Sequence, residues 1–239
     1  IELTESGQRL YDYANTVLSE YDKLKKEIDM IRASEEGTVE LLVAYDILRY
    51  LTPDCILEFQ KKYPNVTFSY MEYPDRIVEK MLLDKEGNVA LSIGPFAGDC
   101  FDMKSLKKCS LGILVYEEHS LAKKREATIL DLEGEPLYLE NSSFKLNEFI
   151  QSRCWNRGFE PDIVFETNGF DLCYKMCRLK RGISVTIYFV HEDMNTEGLV
   201  MIPFAEDDMI WEIGLLTLKD RAMESSVEKF YKYIENYNN

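Results

Sequence analysis

From Val39 onward the chain alternates short β-rich apolar runs with helical stretches, and this alternation limits the fold more than any other feature. "VELLVAY" (Val39–Tyr45) reads as a strand. "TPDCILEFQKKYP" then starts a helix, with Thr52 as N-cap, Pro53 at the first helical position, Asp54 in the first turn and Pro64 as the stop. "VTFSYMEY" is a strand, "DRIVEKMLLDKEG" a helix ended by Gly87, and "NVALSIG" a strand. A βαβαβ run of this kind demands a parallel sheet, right-handed crossovers and helices packed on its faces. After the long strand "KKCSLGILVYEEH" a second unit follows: strand "EPLYLE", helix "SSFKLNEFIQSRCWNRGF", strand "PDIVFETN", helix "GFDLCYKMCRLKRG" and strand "ISVTIYFV". "GLVMIPF", the strand "MIWEIGLLTLKD" and a helix from Ala222 to Tyr237 close the chain. Two α/β units of about 100 residues each fit this length.

The first 36 residues are of a different kind. In "LTESGQRLYDYANTVLSEYDKLKKEIDMI", Thr4 is a good N-cap and Glu5 suits the positive end of a helix. Leu10, Ala14, Val17, Tyr21, Leu24, Ile28 and Ile31 recur in steps of four and three. A period of 3.5 keeps such a stripe on one face and specifies a coiled-coil-like seam. An amphipathic helix lying on its own domain is the bland alternative. The narrow seam, and the polar segment "RASEEGT" (Arg32–Thr38) behind it, favour pairing with a second subunit. The first residue is Ile, so the sequence is expected to be a processed or truncated product.

Composition excludes several classes. Of 239 residues, 46% are hydrophobic and 30% charged, as in an ordinary globular protein with one large or two small cores. No run approaches the roughly 20 apolar residues of a membrane span, and no secretory leader pattern is present. Six cysteines without CxxC pairs read as reduced cytosolic thiols. A net charge of −15 argues against these residues gripping a phosphate backbone.

Catalytic and metal chemistry find little to stand on, and no catalytic residue, metal site or cofactor is expected. His119 and His191 are the two histidines, both in turn-like polar stretches. No GxSxG or phosphate-loop motif occurs, and "GPFAGDC" at Gly94 reads as a plain loop. Cys173 and Cys177 share a helix face, as core cysteines do, with no third or fourth ligand beside them.

Taken together, Leu3-Thr4-x-x-Gly7 at the head of a long helix, "YLTPDCILEFQKKYPNV", "VYEEHSLAK", "DLEGEPLYLE", "GFEPDIVFETN" and "KRGISVTIYF" resemble the LysR-type transcriptional regulators. No single motif is specific; their order and spacing are, and they cover essentially the whole chain. The resemblance implies an α/β fold of two Rossmann-like subdomains joined by two crossing strands, like type 2 periplasmic binding proteins, preceded by a long dimerisation helix. Residues 1–36 would be the linker helix, 37–109 with 214–239 the first effector-binding subdomain, and 110–213 the second. The crossings would fall near Cys109–Leu111 and Glu212–Gly214. An N-terminal winged helix-turn-helix that reads DNA would precede the sequence.

Function would then sit in the cleft, since ligands of open α/β sheets bind beyond the carboxyl ends of strands, beside helix N-termini. Those ends supply Tyr45, Asp46 and Ile47 after the first strand, and Gly94 and Pro95 after the third. In the second unit they supply Ser142, Ser143 and Phe144, then Thr167 and Asn168, then Thr186 with Tyr188 on the same strand. Plain N-capping is the alternative for Ser142 and Asn168, at about 1 kcal/mol each. Asp46 at the mouth disfavours a simple dianion; it would cap the following helix or meet an amine. Tyr188 stands where the family commonly has proline, and Gly169 where it commonly opens a helix with serine, so specificity does not carry over from other members. Peroxide-sensing members have a reactive cysteine in the loop that is "ENSSF" here, which argues against a thiol switch of that design.

The expected partners are a small-molecule effector and further copies of the chain, as homodimer or homotetramer. DNA would be met only through the missing N-terminal domain, and no membrane is involved. The expected location is the cytoplasm. The alternative is a stand-alone receptor of the same fold, which has no use for a heptad-seamed leading helix.

Overall fold

The computed structural model describes residues 4–34, 37–96 and 98–237, with side chains of the first helix described as far as Lys25. That helix, α1 (Glu5–Ser34), opens on a cap in which the Gly7 N–H donates to Thr4 Oγ1 at 3.1 Å. Its stripe faces solvent: Leu10, Val17, Tyr21 and Leu24 are each more than half exposed. The side chains of Ile28 and Ile31 lie outside the described residues.

The first unit is a parallel sheet built as the alternation requires. β1 (Gly37–Ala44) pairs in parallel with β2 (Val66–Tyr73) on one side and with β3 (Val89–Ile93) on the other. β3 is buried along its whole length and β1 from Leu41 to Ala44, as strands covered on both faces must be. β2 is an edge strand and mostly exposed. The crossover after β1 holds α2 (Ile47–Leu51) and α3 (Asp54–Lys62); α4 (Asp75–Leu83) joins β2 to β3.

The expected N-cap at Thr52 is not found. A short helix that the apolar pattern did not separate occupies 47–51, so Thr52 is its C-cap, at φ 60°, and Pro53 is the residue preceding α3. "DRIVEKMLLDKEG" likewise stops at Leu83, where Lys85 turns the chain at φ 63°.

β4 (Phe101–Tyr116) links the units. Phe101–Ser110 pairs antiparallel with β9 (Ile210–Leu218), while Leu111–Tyr116 pairs with β7 (Ile183–Ile187) and β8 (Leu199–Pro203). β9 also pairs with β3, placing it within the ladder of the first unit along its length. In the second unit β5 (Leu137–Glu140) lies parallel to β6 (Ile163–Thr167) and to β7. Gly182 permits the β5–β7 approach: a Cβ there would sit 2.2 Å from the Pro136 carbonyl oxygen. The full order is β2-β1-β3-β9-β4-β7-β5-β6, with β8 alongside β4.

α5 (Lys145–Asn156), α6 (Phe170–Arg178) and α7 (Tyr188–Asp193) complete the second unit. "ISVTIYFV" is therefore strand as far as Ile187; Tyr188 starts a helix and is not on the strand. α8 (Ser225–Tyr237) returns to the first unit, where Phe230 meets Phe59 edge-on at 5.0 Å and Ser226 Oγ donates to the Thr38 carbonyl at 3.0 Å. Among the described residues no helix is long and apolar enough to cross a membrane.

A candidate ligand cleft between the two units

The carboxyl ends of β1, β3, β5 and β7 converge on a cavity of about 10 Å³, room for about one water molecule. Ala44, Ile93, Glu140 and Ile187 are the last residues of those four strands, and Asp75, Leu146 and Trp211 complete much of the wall. Tyr45 from the first unit and Phe144 from the second close over it, their ring centroids 6.1 Å apart.

Two sets of polar contacts hold the units against each other beside this cavity. In the first, Asp75 at the start of α4 accepts from its neighbour Arg76 N–H at 2.7 Å and from Lys145 N–H at 3.0 Å. Lys145 is the first residue of α5, so a carboxylate of one unit satisfies an orphan donor of a helix in the other. The Lys145 ammonium in turn bonds Glu79 and donates to the Ile93 carbonyl at 2.6 Å. Ser92 Oγ donates to the same Glu79 carboxylate at 3.2 Å. Burial pushes the Asp75 carboxyl up to about 6, against the pull of Lys145.

The second set centres on Arg49 of α2. Its Nε donates to Asp46 Oδ1 at 2.5 Å, and Nη1 to Asp193 Oδ2 at 2.6 Å, with Asp171 Oδ2 at 3.7 Å from Nη2. Asp46 belongs to the first unit; Asp171 and Asp193 belong to α6 and α7 of the second. Asp46 adopts φ 69°, a left-handed conformation that Asp tolerates better than most residues. Burial raises its pKa, while Arg49 holds it down.

Of the residues named from sequence, Tyr45 and Phe144 are brought together at the cavity, and Asp46 stands beside it. The others are placed differently. Ile47 is fully buried in the core of the first unit. Gly94 N–H is bonded to the Glu212 carbonyl at 2.7 Å, and Pro95 lines a separate open groove of about 520 Å³ between α4 and α5. Ser142 is exposed, and the Ser143 N–H is taken by Asn141 Oδ1 at 2.8 Å. Neither Ser142 nor Asn168 caps a helix: Phe144 and Gly169 precede α5 and α6, and Asn168 Oδ1 instead accepts from Asn141 Nδ2 at 2.5 Å. Thr167 Oγ1 donates to the Gly169 carbonyl at 2.7 Å. Thr186 is buried and occupied by the Tyr174 hydroxyl at 3.0 Å, which also meets His191 Nδ1 at 3.2 Å.

Arg49, Asp75, Glu79, Glu140, Lys145 and Trp211 were missed. The strand-end rule would have found two of them: Asp75 lies just past the end of β2, and Glu140 is the last residue of β5. Lys145 and Arg49 carried no signal, because a lysine or arginine in the first turns of a helix reads as a solvated face.

The model of the LysR substrate binding domain matches residues 32–238. The chain belongs to that LysR family. Among its relatives, the uncharacterized HTH-type transcriptional regulator YwbI of Bacillus subtilis (strain 168) is 25% identical over 185 residues, covering 77% of this chain and 62% of YwbI. The transcriptional dual regulator GltC of the same organism is 23% identical over 236 residues, covering 98% of this chain and 78% of GltC. The chain thus spans less than two thirds of the first of these LysR relatives. The effector-binding domain of QuiR in complex with shikimate superposes with a TM-score of 0.73 at 18% identity, over 85% of this chain and 98% of that one. The likeness shows the fold: two α/β units joined by crossing strands, of the periplasmic-binding-protein-like type.

Proposed function

We propose that this chain is the regulatory part of a LysR-type transcriptional regulator, and that its cleft senses a small-molecule effector. The observation that carries the reading is the cavity itself. It lies at strand carboxyl ends, its walls come from both units, and polar contacts between the units flank it. QuiR, of the same fold, is complexed with shikimate, and ligand sites are favoured at such interfaces. The proposed division is 37–109 with 214–239 against 110–213. Residues 204–209 connect β8, paired with Gly112–Tyr116, to β9, paired with Phe101–Ser110. Ser143, Thr167, Asn168, Thr186, Gly94 and Pro95 remain proposed ligand neighbours of an opened cleft, with Tyr45 and Phe144 as its apolar wall.

The exposed stripe of α1 is proposed to pair with the same helix of a second copy, in a dimer or tetramer. DNA is then contacted by a segment outside these residues, as the net charge of −15 favours. The protein works in the cytoplasm and is not an enzyme; curated relatives are transcriptional regulators.

A thermal-shift screen of metabolites tests the effector reading. A cleft ligand at 100 times its Kd stabilises the fold by about 2.7 kcal/mol, and mutation of Tyr45 and Phe144 to Ala removes that shift. A stabilising ligand indifferent to both changes would place the effector elsewhere. Replacing Val17 and Leu24 with Glu tests the pairing, since it should lower the mass in light scattering; an unchanged mass rejects it.

A further inference from the structure

Glu140 is 4% exposed and lines the central cavity. Its backbone carbonyl accepts from Asn147 Nδ2 at 2.7 Å, but its carboxyl has no hydrogen bond or ion pair among the described residues. A buried carboxyl without a protein partner is costly, and this one lines the cavity, where a donor that enters can meet it. Burial, and after it the charges of Asp46 and Asp75 in the first unit, push its pKa well above the usual carboxylate range. The cations nearby are already engaged: Arg49 by Asp46, Asp171 and Asp193, and Lys145 by Glu79 and the Ile93 carbonyl. Asp75 and Asp46 have their donors, so Glu140 is the carboxyl at the cavity that stands without one among the described residues.

We propose that the effector of this chain carries a cationic nitrogen, an ammonium or amidinium, which Glu140 receives at the floor of the cleft with Asp75 and Asp46 beside it. The inference rests on the cleft reading above and adds the charge of the ligand to it. An anion placed there would meet three carboxyls and, among the described residues, no unengaged cation lining the cavity. A cation supplies the missing donor, and aromatic faces at Tyr45, Phe144 and Trp211 also favour positive charge. With room for about one water, the cavity admits such a group as the units part and the Tyr45–Phe144 contact opens.

Trp211 makes this measurable. It lines the cavity at 1% exposed, whereas Trp155, the other tryptophan, is exposed. In a Trp155→Phe background, Trp211 fluorescence reports on the cleft alone. The probes are short diamines, amino acid amides and benzylamine, against size-matched dicarboxylates and benzoate. At least one ammonium probe is expected to change Trp211 emission saturably, and Glu140→Gln to weaken it by roughly tenfold or more, as for loss of a charged hydrogen bond. Glu133→Gln, an exposed charge change elsewhere, should leave it unaltered. Unliganded Glu140→Gln and Glu140→Leu should melt no lower than wild type, because the carboxyl has no partner to lose. A lower melting temperature for both would make Glu140 a structural residue and overturn the proposal. Saturable binding of carboxylate probes with none of the ammonium probes would also overturn it, while leaving the cleft as the effector site. Silence from both sets rejects the cation and leaves the cleft to the wider metabolite screen.

Discussion

The two sets of cross-cleft contacts do the same job with opposite exposure. The Lys145 and Glu79 side chains are 10% and 6% exposed and sit between α4, α5 and the end of β3. Arg49 is 24% exposed, and its second-unit partners Asp171 and Asp193 are 78% and 49% exposed. A buried pair is locked by desolvation: either member, left alone, is an uncompensated charge. An exposed pair exchanges its partner for water at little cost. The Lys145 side should therefore hold as the fixed edge of the cleft, and the Arg49 side should part at lower cost.

Breaking the fixed edge should have the largest effect. Lys145→Met removes the cation that faces buried Glu79 and is expected to cost about 3–5 kcal/mol in urea denaturation. Adding Glu79→Leu should recover most of that loss, because an apolar pair needs no compensation. A single-variant loss below about 1 kcal/mol would remove the distinction between the edges. Arg49→Ala comes next, at about 1–2 kcal/mol, since it leaves the mostly buried Asp46 side chain without its cation. Asp193→Asn should cost less, because Arg49 keeps Asp46.

The same contrast explains what could be read from sequence. β1 to β3 and β5 to β7, and their parallel pairing, followed from apolar runs of strand length separated by helical periods, and this signal is local. α2 was absorbed into a loop because five residues are too few to show a period, and with it went the cap assigned to Thr52. At the cleft, the strand-end rule found Tyr45, Asp46 and Phe144 because it needs only strand boundaries. It could not show that Thr186 is occupied by Tyr174, nor that Lys145 reaches across to Glu79 66 residues earlier in the chain. Pairings at that separation leave no trace in one sequence.

The acids of the cleft set a pH dependence that sharpens the comparison. Asp75 titrates near 6 in the folded chain, against about 3.9 when unfolded. The folded state thus binds the extra proton between those values, and stability falls as pH rises through about 4 to 6. Glu140, also raised, extends the fall upward, with Lys145 opposing it at Asp75. Asp131, held low by Lys124 and the Thr128 N–H, acts oppositely, losing its contribution as pH falls below about 4. The melting temperature is expected to be higher at pH 5 than at pH 7, and Asp75→Asn with Glu140→Gln should flatten that slope. A stability that rises across this window would mean that the cleft acids are ionised and well paired.

The smallest effect separates burial from location. Arg76 and Glu148 join α4 to α5, as Glu79 and Lys145 do, but their side chains are 41% and 70% exposed. If position in this interface decided the energetics, Arg76→Gln would approach the loss from Lys145→Met. If burial decides, it should cost less than about 1 kcal/mol, because both groups return to water. Salt sharpens the test: raising ionic strength to about 1 M shortens the screening length to about 3 Å and should erase the Arg76 contribution while leaving that of Lys145 largely intact. Equal losses for the two variants at low salt, both abolished at high salt, would show that water reaches the Lys145 edge as freely as the Arg49 edge, and the cleft would then have no fixed side.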